Sequence, residues 1–217
     1  MIKCAIFDLD GTLLDTITTI TYYANLVLNK EGIREISEEE CKYFVGNGAK
    51  KLIDRIMESR EIKDDCVALR VYEDYNREYN SNTLYLTEPY EGIRELLIAL
   101  KEKGIKMAVL SNKPDFATKS IIPSFFSDTF SIVRGGKDGV PLKPAPDGVF
   151  EICKELGVSE DEIMYVGDTN VDMKTGKNAG AGITVGVSWG FRTRDELVSS
   201  GADVIVDKPL EILNLLK

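Results

Sequence analysis

The stretch "AIFDLDGTLLD", residues 5–15, decides how the rest of the chain reads. Its front half belongs to "KCAIF" (3–7), a short apolar run suited to a buried strand. Asp8 and Asp10 follow two residues apart, and Gly11 lets the chain turn sharply after them. On a strand, positions i and i+2 point the same way. Burying two unpaired carboxylates side by side is costly, so another part of the chain must compensate them.

Outward from this strand the pattern is helical. "TITTITYYANLVLNKEG" (16–32) has apolar residues at helical spacing and stops at Gly32. Ser37 with Glu40 three residues on reads as a capping box for a helix through Tyr43 and Phe44. "GNG" (46–48) breaks it, "AKKLIDRIM" restarts one, and residues 64–80 give another long helical pattern. After "TEPYEG" strands and helices alternate. Strands are predicted at 105–112, 162–168 and 202–207, a strand and loop at 182–190, and helices at 93–104, 147–157, 173–180, 194–201 and in the closing "PLEILNLL". This alternation implies an α/β, Rossmann-like parallel sheet with helices on both faces. The helical stretch splits it, giving an α/β core of residues 1–15 and 88–217 and an inserted all-helical cap of residues 16–87.

The chain has 217 residues, 43% of them hydrophobic, enough for a sizeable core. Its net charge of −9 argues against a nucleic-acid partner. No apolar run reaches membrane-span length, and "MIKCAIF" does not read as a signal peptide. The cysteines (Cys4, Cys41, Cys66, Cys153) are scattered without a CxxC pair, so a reduced, cytoplasmic setting is expected. The chain contains no histidine, which excludes Ser-His-Asp and Cys-His catalysis and His-ligated zinc. A catalytic acid or base must come from Asp, Glu, Lys, Tyr or Cys.

In open α/β sheets ligands bind outside the carboxyl ends of the strands. Four polar clusters fall at such ends: "DLDGT" (8–12), "SNK" (111–113), "KPAP" (143–146) and "GDTNVD" (167–172). In order and content they resemble the four motifs of the haloacid dehalogenase superfamily, and the helical insert lies where one class of that superfamily carries its cap. "VGNGAKKLI" and "GVSWGF" are most similar to its phosphoglycolate phosphatases. The resemblance spans nearly the whole chain. It implies a Mg²⁺-dependent phosphatase that hydrolyses a small phosphomonoester through an aspartyl-phosphate, with 2-phosphoglycolate the best single substrate. A pyrophosphatase, nucleotidase or sugar-phosphate phosphatase or mutase of the same plan is the alternative. A non-catalytic phosphate-binding module is the reading from a different class. Asp10 argues against dehalogenation, because dehalogenases of the superfamily lack that second aspartate.

Phosphoryl transfer needs an in-line nucleophile, a proton donor and positive charge. The resemblance assigns Asp8 as nucleophile, Asp10 as acid and base, and Lys143 as the stabilising cation. Two aspartates facing a phosphate repel it, by roughly 4 kcal/mol for each like-charge pair at ~4 Å and an effective dielectric of ~20. A hard dication with oxygen ligands removes that repulsion. By the family pattern Mg²⁺ takes the Asp8 carboxylate, the Asp10 backbone carbonyl and Asp168. Asp172, four residues on, either orients a metal-bound water or pairs with Lys143. Ser111 and Asn112 are expected to donate to the phosphoryl oxygens, and Thr12 either to do so or to cap its turn. Gly46, Asn47, Gly48 and Lys50 either offer an anion site at a helix N-terminus or mark a plain helix break. Trp189 and Phe191 read as packing residues. The expected partner is a small phosphorylated metabolite, with no membrane involved; the sequence is silent on oligomeric state.

Overall fold

The structure is a computed structural model and describes residues 1–216. It divides into two compact units, Met1–Asp15 with Pro89–Lys217, and Thr16–Glu88.

The first unit is built on a six-stranded, wholly parallel sheet. Its strands are β1 (Cys4–Phe7), β2 (Lys106–Pro114), β3 (Ile132–Gly136), β4 (Ile163–Gly167), β5 (Ile183–Val187) and β6 (Val204–Val206). Their order is β3-β2-β1-β4-β5-β6, so the direction of winding reverses between β1 and β4. Period-two alternation sends successive residues of β1 into different cores. Ala5 and Phe7 enter one with Met107, Val109, Met164 and Val166, while Cys4 and Ile6 enter the other with Ala108, Tyr165, Ile152 and Cys153. Asp8 continues the parity of Cys4 and Ile6. Its N–H bonds Val166 O at 2.9 Å, which fixes the end of β1 against the end of β4.

The second unit holds helices α1 (Ile17–Lys30), α2 (Glu38–Phe44), α3 (Ala49–Ser59) and α4 (Asp65–Ser81). Ile20, Ala24 and Val27 of α1, Ile53 and Ile56 of α3, and Val71 and Tyr75 of α4 are buried. The Tyr23 and Tyr79 rings meet edge-on at 5.5 Å. The capping box is formed: Ser37 Oγ accepts from Glu40 N–H at 3.1 Å, and the Glu40 carboxylate accepts from Ser37 N–H at 2.9 Å.

The remaining helices are α5 (Ile93–Glu102), α6 (Asp115–Phe126), α7 (Asp147–Leu156), α8 (Asn170–Ala179) and α9 (Arg194–Ser199). Two elements lie where the sequence announced none. Helix α6 carries Pro123 in its interior, and β3 is a half-buried edge strand ending in Gly135 and Gly136. The closing segment, expected as an ordinary helix, is a 3-10 turn over Pro209–Leu215. Among the described residues no helix is long and apolar enough to cross a membrane.

Arg60 ties this helical unit together. Its guanidinium bonds Glu40 at 2.9 and 3.2 Å and the carbonyls of Arg34 and Glu35. That bond and the Ser37 N–H hold the Glu40 carboxyl down at about 2, below its usual 4.5. A depressed carboxylate contributes its stability above the unfolded value and loses it as pH falls toward the folded one. Arg60→Met is therefore expected to lower the urea midpoint of the helical unit at neutral pH. The gap to wild type should narrow below about pH 4.5, and circular dichroism melts across that range check it.

Candidate active site

The site lies at the carboxyl ends of the strands, where the winding reverses. β1 delivers Asp8 and β4 delivers Asp168. A capping box at the start of α8 then places Asp172: the Thr169 N–H and hydroxyl donate to Asp172 Oδ2 at 3.0 and 2.6 Å. One carboxylate oxygen each from Asp8, Asp168 and Asp172 lies within 4.8 Å of the others, and all three residues are buried.

A single ammonium joins two of them. Lys143 Nζ lies 2.9 Å from Asp8 Oδ1 and 2.7 Å from Asp172 Oδ1. Of the two tasks open to Asp172, the structure shows the pairing with Lys143. Burial alone would push the Lys143 pKa down, but Asp172 and Asp8 outweigh it and hold the pKa well above the ordinary lysine value. Burial, with the Asp172 charge second, pushes the Asp8 carboxyl up to about 7 against the pull of Lys143. Asp168 is raised for the same reasons, burial first and then Asp172 and Asp8. Thr12 Oγ1 at 2.8 Å and Phe191 N–H at 2.9 Å oppose that rise.

With all three carboxylates charged, one ammonium would leave two negative charges uncompensated. A hard divalent cation supplies that balance, and an all-oxygen donor set suits Mg²⁺. A nearby cation also reverses the upward pKa shifts that burial imposes.

The loop residues take more specific parts than their sequence motifs conveyed. The Asn112 side chain accepts from Lys143 N–H at 2.9 Å and donates to Lys143 O at 3.0 Å, clamping the lysine's backbone from 31 residues away. Through these two bonds the Asn112 amide holds the loop that presents Lys143. Ser111 Oγ accepts from Lys113 N–H at 3.2 Å. The Thr12 hydroxyl donates to Asp168 Oδ1 at 2.8 Å. The Asp10 carboxylate lies against Lys113, the last residue of "SNK", whose partner the sequence does not identify. Trp189 Nε1 donates to Thr12 O at 3.0 Å, and Phe191 contributes its backbone N–H, so both do more than pack.

Glycines admit this crowding. A Cβ on Gly11 would lie 2.2 Å from Asp168 Oδ2, one on Gly167 2.2 Å from Asp172 Cβ, and one on Gly190 2.2 Å from Asp168 Cβ. Gly190 was missed by sequence reasoning, because close approach leaves no local signature.

In the helical unit, Gly46, Asn47 and Gly48 precede α3, with Gly46 and Gly48 both at positive φ. Asn47 Oδ1 accepts from Arg55 at 2.8 Å, and Lys50 pairs with Asp54. Arg55, which also reaches the carbonyls of Phe44 and Val45, was not singled out from sequence.

The model of the haloacid dehalogenase-like hydrolases matches residues 5–185. The chain belongs to that family. Among hydrolases of similar sequence, a phosphoglycolate phosphatase from Haemophilus influenzae is 29% identical over 97% of this chain and 96% of its own length. An N-acetylmuramic acid 6-phosphate phosphatase from Pseudomonas aeruginosa is 29% identical over 99% of this chain and 95% of its own. A crystal structure of a predicted phosphoglycolate phosphatase from Haemophilus somnus superposes with a TM-score of 0.92 at 27% identity, covering 100% of this chain and 98% of the other.

Within this hydrolase core, Gly190→Ala is expected to displace Asp168. Overpacking of that kind destabilises by about 1–3 kcal/mol. Urea denaturation measures the loss, and the rise in melting temperature on adding Mg²⁺ should shrink with it.

Proposed function

We propose that this hydrolase is a Mg²⁺-dependent phosphatase of small phosphomonoesters, with 2-phosphoglycolate as the first candidate substrate. The observation that carries the reading is the buried set of Asp8, Asp168 and Asp172 around Lys143. The relatives' names supply the substrate class.

Leu9 N–H at 2.7 Å and Lys143 Nζ at 2.9 Å both engage Asp8 Oδ1. We assign the other oxygen, Oδ2, as nucleophile. It bonds to phosphorus as the ester P–O bond breaks, giving an aspartyl-phosphate and an alkoxide that takes its proton from Asp10. Asp10 then accepts a proton from the water that attacks the same phosphorus, and Asp8 leaves as carboxylate. Lys143 stabilises negative charge on the transferred group in both steps. The dication would be held by the carboxylates of Asp8 and Asp168 and by the Asp10 backbone carbonyl. When bound it neutralises charge on the phosphoryl oxygens. Ser111 is the hydroxyl donor to the phosphate. Residues 16–87 form the cap that selects the leaving group, with Gly46, Asn47, Gly48 and Lys50 as its anion-binding segment. Buried thiols such as Cys4, Cys41 and Cys153 stay reduced in the cytoplasm, where we place the reaction.

Asp8→Asn is expected to lower phosphate release by about three orders of magnitude or more while leaving the circular dichroism spectrum unchanged. Chelation by EDTA should abolish activity and Mg²⁺ restore it. Near-normal turnover in the variant, or indifference to chelation, refutes the mechanism. Free phosphate scored across phosphoglycolate, N-acetylmuramic acid 6-phosphate, hexose phosphates, nucleotides and pyrophosphate assigns the substrate and separates hydrolysis from mutase chemistry.

A further inference from the structure

The site contains a second buried cation that the steps above leave without a task. Lys113 Nζ donates to both oxygens of Asp10, at 2.8 and 3.0 Å. The lysine side chain is 7% exposed and the aspartate 20%, so the cation lies deeper and the carboxylate nearer the mouth.

The backbone of Lys113 is held on several sides. Its N–H reaches Ser111 Oγ at 3.2 Å, and its carbonyl accepts from Thr118 Oγ1 at 3.3 Å. Gly135 of β3 passes so close that a Cβ there would lie 2.6 Å from Lys113 O. A register shift in β2 between Leu110 and Pro114, opposite Arg134 and Gly136, sets Ser111–Lys113 out of the regular ladder. Asp10 lies beyond the end of β1, in a turn closed by backbone bonds from Leu13 and Leu14 N–H to Leu9 O and from Gly11 N–H to Leu14 O. That turn fixes its backbone, and the Lys113 ammonium engages both oxygens of its carboxylate.

A group that must reach a leaving oxygen acts well only when its orientation is fixed beforehand. Lys143 cannot do this for Asp10, because its ammonium is engaged by Asp8 and Asp172. We infer that Lys113 is the positioning residue for Asp10, holding its carboxylate in the orientation from which it serves the departing alkoxide. This inference rests on the acid–base role proposed for Asp10.

The test compares kcat/KM, which reports the first irreversible step, on two kinds of ester. An alkyl phosphate expels a basic alkoxide and needs the proton. 4-Nitrophenyl phosphate expels a stable phenolate and does not. Lys113→Met is expected to lower kcat/KM for the alkyl ester by about 100-fold, and for the aryl ester by about tenfold less than that. Lys113→Arg should recover part of the loss. In an Asp10→Asn background, adding Lys113→Met should cause no further loss on the alkyl ester, because the two residues act as a unit. Lys113→Gln serves if the Met variant does not fold. Equal losses on both esters, or losses that multiply in the double variant, overturn the inference. If Asp10→Asn is itself selective and Lys113→Met is not, the inference alone falls. If Asp10→Asn spares the alkyl ester, the acid–base reading falls and the inference with it.

Discussion

One ammonium makes this site foldable. Lys143 Nζ lies between Asp8 and Asp172, and without it three carboxylates would be buried together with no positive partner. Removing one member of a buried pair is destabilising by roughly 3–5 kcal/mol, because the other charge is left uncompensated. Much of the surrounding architecture maintains that geometry. Sheet register sets Asp8 against the end of β4, the capping box of α8 orients Asp172, and the Asn112 amide grips both backbone groups of Lys143. The lysine thus connects three segments that are remote in sequence, and the fold and the site share one electrostatic constraint.

The same crowding explains the glycines. Three carboxylates converge only where neighbouring chain has no Cβ to exclude them, and Gly11, Gly167 and Gly190 provide that space. Gly11 has a second reason, its φ of 83°, which an L side chain rarely adopts. Gly190 brings Phe191 N–H onto Asp168 Oδ2, so its closeness also supplies a hydrogen bond that steadies the carboxylate as an anion.

Local chemistry was the legible part of the sequence. A short apolar run, an i, i+2 aspartate pair and a Ser-x-x-Glu cap are readable because spacing along the chain is spacing in the structure. The order of the strand-end clusters was readable for the same reason. Helix α6 was not, because Pro123 sits where a helix interior normally excludes it, and β3 was not, because Gly135 and Gly136 give no strand signal. The 3-10 geometry of Pro209–Leu215 differs from an α-helix in hydrogen bonding, which an apolar pattern does not encode. The tasks of Asn112 and Lys113 depend on partners 31 and 103 residues away, and only folding identifies those.

A chain with no histidine must draw its acid–base chemistry from carboxylates, and one residue type then has to fill two different roles. Surroundings can make that separation where chemistry does not. Asp8 is 9% exposed, and its Oδ1 is engaged by Lys143 and Leu9 N–H, an environment that fixes one oxygen and suits attack by the other. Asp10 is more open, lies past the strand in a turn, and faces a different lysine with both oxygens. Two residues of sequence separate them, so neither composition nor spacing distinguishes the two. What distinguishes them is that β2 and the Lys143 loop each bring one ammonium to the same strand end. The division of work in the proposed reaction therefore depends on β2, which lies beside β1, carries Lys113 and, through Asn112, holds the loop of Lys143.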